Sequence, residues 1–203
     1  MILEYAKRLK SMAHLGLTYS ANEYDIERYH ELEKISLEMM EMATSVPVNQ
    51  LSLYFQQEKE YITPKTDIRA VVFNGQNEIL LVKEKADGKW SLPGGWADIG
   101  QSPTEAAVKE VMEETGFTVQ PVKLLAVLDK RCHPHPPQLD YVYKMFIQCE
   151  IAGGEYATAF DILEIGFFKQ DAIPELSTDR VLPSQIDLMF DYLMHPDKQT
   201  QID

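Results

Sequence analysis

Along residues 1–60 apolar side chains recur every three or four positions, and no alternating stretch interrupts them. That period puts side chains on one face of a helix. It predicts helices over 2–15, 21–43 and 48–58, with Val46-Pro47 as the break between the last two. The second helix carries Tyr24, Ile26, Tyr29, Leu32, Ile35, Leu37 and Met40 as its stripe, and Met39, Met40 and Met42 read as core or interface filler. From Thr63 the texture turns β-rich, predicting strands over 68–73, 79–82, 124–128, 141–149 and 165–168 and a closing helix near 183–194. Asn74-Gly75 between the first two strands is a hairpin signal. The chain therefore divides into a helical piece, 1–62, and an α/β piece, 63–203. The two-faced helices of the first piece must pack on the second piece or on another subunit.

One further helix stands inside the β-rich region. Ser102-Pro103-Thr104-Glu105 has the form of a capping box with proline at the first helical position, and Gly116 suits the left-handed residue that ends a helix. Between them lie Glu110, Glu113 and Glu114, at offsets that share a helical ridge. The expected helix is apolar along Ala107, Val108 and Val111 and bears its carboxylates on the opposite, exposed side. Carboxylates so close repel one another unless a cation joins them, and hard oxygen ligands suit Mg²⁺ or Mn²⁺. Pro93-Gly94-Gly95, just upstream, allows close backbone approach, with Gly94 offering a carbonyl to the metal.

The stretch from Gly95 to Phe117 resembles the Nudix box: Gly, five residues, Glu, seven residues, then Arg-Glu-aliphatic-any-Glu-Glu-any-Gly-aliphatic. Gly95, Glu110, Val111, Glu113, Glu114 and Gly116 match, while Gln101 and Lys109 replace the first Glu and the Arg. Lys109 keeps the positive charge but loses the bidentate fork. The resemblance implies an α/β/α sandwich with a mixed sheet, preceded here by a small helical domain. It also implies hydrolysis of a nucleoside diphosphate linked to a group X, giving a nucleoside monophosphate and phospho-X. The helical extension, SLPGGWADIG, the HPHPP loop and ELSTDR look like a bacterial branch described as CDP-choline or ADP-ribose pyrophosphatase-like. CDP-choline or a similar CDP-alcohol is the leading expectation, and ADP-ribose or another NDP-sugar the alternative. RNA end processing and a non-catalytic nucleotide-binding module are the other classes. A homodimer through the N-terminal helices, contributing to the partner's pocket, is expected as well.

Composition narrows these choices. At 203 residues and 45% hydrophobic the chain can bury one domain core plus an appendage. A net charge of −13 disfavours long nucleic acid, whose binding draws on displaced counterions, but leaves a small phosphorylated substrate open. The charged residues among 1–17 exclude a signal peptide or membrane span there, and Cys132 and Cys149 form no CxxC pair, so the cytoplasm is the expected compartment.

Beyond the glutamates, Glu113 and Lys109 are candidate catalytic residues, and so is Glu164, read as a loop carboxylate just before a strand, with Asp161 as its competitor. Arg69 and Lys83 interrupt apolar strands and are candidates for phosphate contact. Trp96, and less so Trp90, could stack on a base. His133 and His135 lack further Cys or His at ligand spacing, so zinc is not expected there.

Overall fold

The computed structural model describes residues 2–55, 61–157 and 160–203, and the chain divides into two units, Met1–Thr63 and Pro64–Asp203. In the first, α1 (Ile2–Tyr19), α2 (Glu23–Thr44) and α3 (Val48–Phe55) follow one another, and positions 56–58 of the expected third helix lie outside the described residues. Asn22 caps α2 by accepting from the Tyr24 N–H at 2.9 Å, and Ser45 in the left-handed region closes it. Gly16 of α1 lies under the Tyr29 ring of α2, where a Cβ would come within 2.4 Å. The buried positions of α2 are Ser36, Leu37 and Met40; Tyr24, Ile35 and Met42, expected to be covered, are exposed.

The second unit holds β1 (Lys65–Val72), β2 (Ile79–Glu84), β3 (Trp90–Ser91), α4 (Pro103–Thr115), β4 (Phe117–Asp129), β5 (Val142–Gly154), β6 (Ile162–Phe168), α5 (Pro183–Met194) and β7 (Gln201–Ile202). A mixed four-stranded sheet runs β1-β5-β4-β7, and an antiparallel one runs β3-β2-β6. The expected β1–β2 hairpin is corrected. Asn74 takes the N–H groups of Gln76 and Glu78 on its side chain, Phe73 and Ile79 make a single bridge, and the strands then enter different sheets. β4 is longer than expected because a register shift beside Pro121 lets the strand pass a residue with no N–H to donate.

Two cores follow from strand alternation. Ile68, Ala70 and Val72 of β1 pack with Ala106, Ala107 and Val111 of α4, whereas Val71 joins Ile186, Met189 and Phe190 of α5. So β1 is buried on both faces and α4 is seated directly against it. The capping box is present: the Ser102 N–H donates to Glu105 Oε2 at 2.8 Å, and the Glu105 N–H donates to Ser102 Oγ at 3.3 Å. Among the described residues no helix is long and apolar enough to cross a membrane.

Ser102→Ala is expected to cost about 1 kcal/mol through loss of the α4 cap, read as a lower midpoint in urea at unchanged slope.

Candidate active site

The glycine loop is held along the edge of β1 that β5 leaves uncovered. The Ala70 N–H donates to Pro93 O and the Ile68 N–H to Gly95 O, each at 2.8 Å, and the Ala97 N–H donates to Thr66 O at 3.0 Å. Gly94 sits between these at φ 140°, where a Cβ would lie 2.0 Å from Ile68 O. Only glycine fits that place. The Gly94 N–H then points at Glu114 and donates to its Oε2 at 3.0 Å. A Cβ on Gly95 would stand 3.3 Å from both carboxylate oxygens of Glu110. The loop thus leaves a bare backbone cradle beside two glutamates, and among the described residues nothing donates to the Gly94 carbonyl.

The expected exposed ridge is corrected. Glu114 is buried, 8% exposed, within the same arc as Ala106, Ala107 and Val111, and Glu110 is half-buried. Only the side chain of Glu113 stands mostly in solvent. Burial pushes the Glu114 carboxyl up to about 8, against the opposing pull of Arg69 and the Gly94 N–H. Burial also raises Glu110, Lys109 opposes that, and Glu113 adds to it. Lys109 donates to Asp98 Oδ2 at 2.7 Å and lies 3.9 Å from Glu113, so it ties the glycine loop's downstream arm to the helix.

Beneath the glutamates is a buried ionic network. Asp67 of β1 accepts from Arg69 Nε at 2.9 Å and from Lys144 of β5, its register partner. Arg69 NH1 donates to Ser91 Oγ at 3.2 Å and Leu92 O at 3.0 Å. Burial works to deprotonate Arg69, but Asp67, Glu114 and Glu84 hold it charged. Arg69 therefore serves as a floor to the site. It is 5% exposed, and its expected phosphate contact would have to be made from that buried position.

The other predicted residues are dispersed. Glu164 lies inside β6, not in a loop before a strand, because β6 begins at Ile162; Asp161 occupies the preceding turn. Lys83 and Glu164 oppose each other across β2 and β6 and pair at 2.7 Å. Trp96 is 53% exposed, with Lys65 Nζ 5.6 Å from its ring centre, whereas Trp90 packs edge-on to Phe168. His133 pairs with Asp203 at 3.0 Å, and His135 bonds to Thr178 O and Gln185.

Three charged neighbours carry no signal in the sequence that marks them. Asp98, in the arm after the glycine loop, is the partner of Lys109 eleven residues later. Glu84 at the end of β2 is buried and pairs with Arg180 Nε at 3.0 Å. Arg180 also reaches Asp87, whose Oδ2 accepts from Ser177 Oγ at 2.6 Å, so the 177–180 segment is clamped to the turn after β2. No local periodicity marks contacts of such range.

The donor set fits a hard divalent cation. Glu110, Glu114 and the Gly94 carbonyl are all oxygens, two of them desolvated carboxylates whose charged forms the fold penalises until a cation arrives. Among the described residues no three His, Cys, Asp or Glu side chains already stand together at ligand distance, so backbone oxygen and water must complete any shell.

Residues 63–179 match the model of the NUDIX domain, and residues 1–55 match that of a UDP-X-like, N-terminal oligomerisation domain. YjhB of Bacillus subtilis (strain 168), provisionally named an ADP-ribose pyrophosphatase, is 47% identical over 201 residues, spanning 99% of this chain and 96% of its own. The crystal structure of a UDP-X diphosphatase is 30% identical, covering 100% of this chain and 98% of that one with a TM-score of 0.65. That of an ADP-ribose pyrophosphatase from Streptococcus suis is 39% identical, covering 70% and 100% with a TM-score of 0.63.

The raised carboxyl of Glu114 has a stability signature. Folding favours its protonated form, so in the metal-free protein its contribution to stability is fully present below the ordinary carboxyl pKa of 4.5 and is lost as pH rises towards about 8. The total is a few kcal/mol, at about 1.4 kcal/mol per pKa unit. Glu114→Gln, which keeps an acceptor for Gly94, should flatten that slope between pH 5 and 8 in chelator-treated samples, measured by thermal melts at each pH.

Proposed function

The chain belongs to the Nudix hydrolase family, and we propose that it cleaves the diphosphate of a nucleoside diphosphate linked to X, releasing a nucleoside monophosphate and phospho-X, with Mg²⁺ or Mn²⁺ as cofactor. The observation that carries this reading is the buried Glu114 beside half-buried Glu110, facing a glycine backbone that admits no side chain. Glu110, Glu114 and the Gly94 carbonyl hold the ion. A divalent ion there neutralises the diphosphate and makes a nearby water a better nucleophile. Glu113, exposed on the same helix and steadied by Lys109, orients the attacking water by accepting its proton. Lys109, fixed by Asp98, keeps a positive charge beside the departing phosphate. Glu164 holds Lys83 in place, and Trp96 offers an open ring for the base.

ADP-ribose and UDP-linked compounds lead the substrate class, because proteins similar to this chain carry those substrates in their names. CDP-choline, expected from the sequence, belongs in the same panel. The net charge of −13 weighs against RNA ends. The N-terminal helices, in this reading, join two copies. Tyr5, Met12 and Tyr19 stand seven residues apart on α1 and are 51%, 57% and 67% exposed, an apolar stripe of the spacing that pairs helices.

Incubation with ADP-ribose, UDP-sugars and CDP-choline, with products identified by mass, tests the assignment. Glu114→Gln should lose on the order of 10²-fold or more in kcat; near wild-type turnover would remove the assigned role. Met12→Asp should reduce the mass measured by light scattering from a dimer to a monomer.

A further inference from the structure

From Leu92 to Gly95 the glycine loop has four carbonyls, and β1 holds three of them. The N–H groups of Ala70 and Ile68 take Pro93 O and Gly95 O. Leu92 O is served by side chains: Arg69 NH1 donates to it at 3.0 Å and Ser91 Oγ at 3.2 Å, and no backbone N–H reaches it among the described residues. The carbonyl left over is that of Gly94. A glycine has both torsions free, so the direction of this carbonyl is set by the peptides on either side of it. Upstream, Leu92 O lies in the same peptide plane as the Pro93 nitrogen, and the proline ring fixes the next torsion. A donor that pins Leu92 O therefore fixes how the chain enters the glycine.

Arg69 is suited to be that donor. Its guanidinium is planar, so once Nε is committed to Asp67 Oδ1 at 2.9 Å the direction of NH1 follows. Asp67 is itself held in place, because its other oxygen accepts from the wholly buried Lys144. The backbone of Asp67 also bridges to Trp96 at the loop's other end. Lys144, Asp67, Arg69 and Leu92 O thus form an unbroken line of hydrogen bonds that ends two residues from Gly94. Asp67, Arg69, Ser91 and Lys144 are all buried, so water does not compete for these donors.

We propose that Arg69 is a positioning residue for the metal site: its guanidinium, locked on Asp67, holds Leu92 O and so aims the Gly94 carbonyl at the ion. It touches neither the ion nor the substrate. The inference rests on the functional reading above for the metal, but it can be tested without turnover.

The probe is Mn²⁺ alone, titrated into the metal-free full chain and followed by the electron paramagnetic resonance of the free ion. Arg69→Met, which leaves the Asp67–Lys144 pair in place, should raise the Kd for Mn²⁺ by about tenfold or more. Charge alone predicts the opposite, since loss of a cation beneath Glu114 favours a metal ion. Arg69→Lys keeps the charge and one donor direction, and should recover part of the affinity. Phe190→Leu, a core change under α5 that touches none of these hydrogen bonds, should bind Mn²⁺ as the wild type does. In turnover of the preferred nucleoside diphosphate compound, excess Mn²⁺ should restore most of kcat in Arg69→Met, with KM within about threefold of wild type. Unchanged or tighter Mn²⁺ binding in Arg69→Met would overturn the proposal, and so would an equal loss in Phe190→Leu. A KM raised about tenfold at saturating Mn²⁺ would do the same, by returning Arg69 to phosphate binding. If Arg69→Met yields no folded chain, Arg69→Lys decides: wild-type Mn²⁺ affinity there overturns the proposal, because a lone ammonium cannot span Asp67 and Leu92 O as the fork does. Mn²⁺ binding that depends on Arg69 in a protein that hydrolyses no nucleoside diphosphate compound would uphold this inference and sink the functional reading instead.

Discussion

The capture of the glycine loop by the edge of β1 is the constraint on which the rest of the site depends. Backbone hydrogen bonds from Ile68 and Ala70 fix Gly95 and Pro93, and the residue between them has only one way to turn. That turn aims the Gly94 N–H at Glu114. Because β1 also supplies Ile68, Ala70 and Val72 to the core under α4, one strand places both the backbone and the carboxylate side of the site. The Glu114 carboxylate and the Lys109–Asp98 pair then tie the glycine loop to the helix.

Electrostatics then sets the state in which the site waits. Desolvation drives Glu114 towards its neutral form, and Arg69 underneath resists. Arg69 can do so only because Asp67 and Lys144 complete a buried network in which each charge has a counterpart. Breaking such a network by removing one partner leaves an uncompensated charge, so its members are constrained together. The site is thus a stack: two glutamates, a guanidinium below them, and a carboxylate shared with a lysine below that.

Much of this was legible in the residues. The capping box, the terminating Gly116 and the box spacing fixed α4, since each signal is local and its partners lie within one or two turns. Gly94, Glu110 and Glu114 do lie together as that spacing implied. The burial of Glu114 was not legible, because a carboxylate on an amphipathic helix reads as solvated until the opposing loop is known. Arg69 and Lys83 looked alike in sequence, as lone cations in apolar strands. Alternation puts Arg69 between the sheets, with acceptors at Asp67, Ser91 and Leu92, while Lys83 finds Glu164 in a strand eighty-one residues further on. The β1–β2 hairpin failed because a tight turn specifies chain reversal and leaves open whether the strands stay paired. Pro121 hid the first half of β4, since strand rules penalise proline without foreseeing a register shift.

The parallel pairing of β1 with β5 joins residues seventy-seven positions apart, as between Asp67 and Lys144. Everything local to the box, including α4 and its cap, is synthesised before β5. Through that interval β1 has one side unpaired and Asp67 lacks its lysine. Long-range pairing of this kind is slow to nucleate, because chain entropy must be lost before contacts form. Assembly of the candidate site is therefore a late event in the life of the nascent chain, and until then the hydrophobic strand at its heart lacks a partner along one edge.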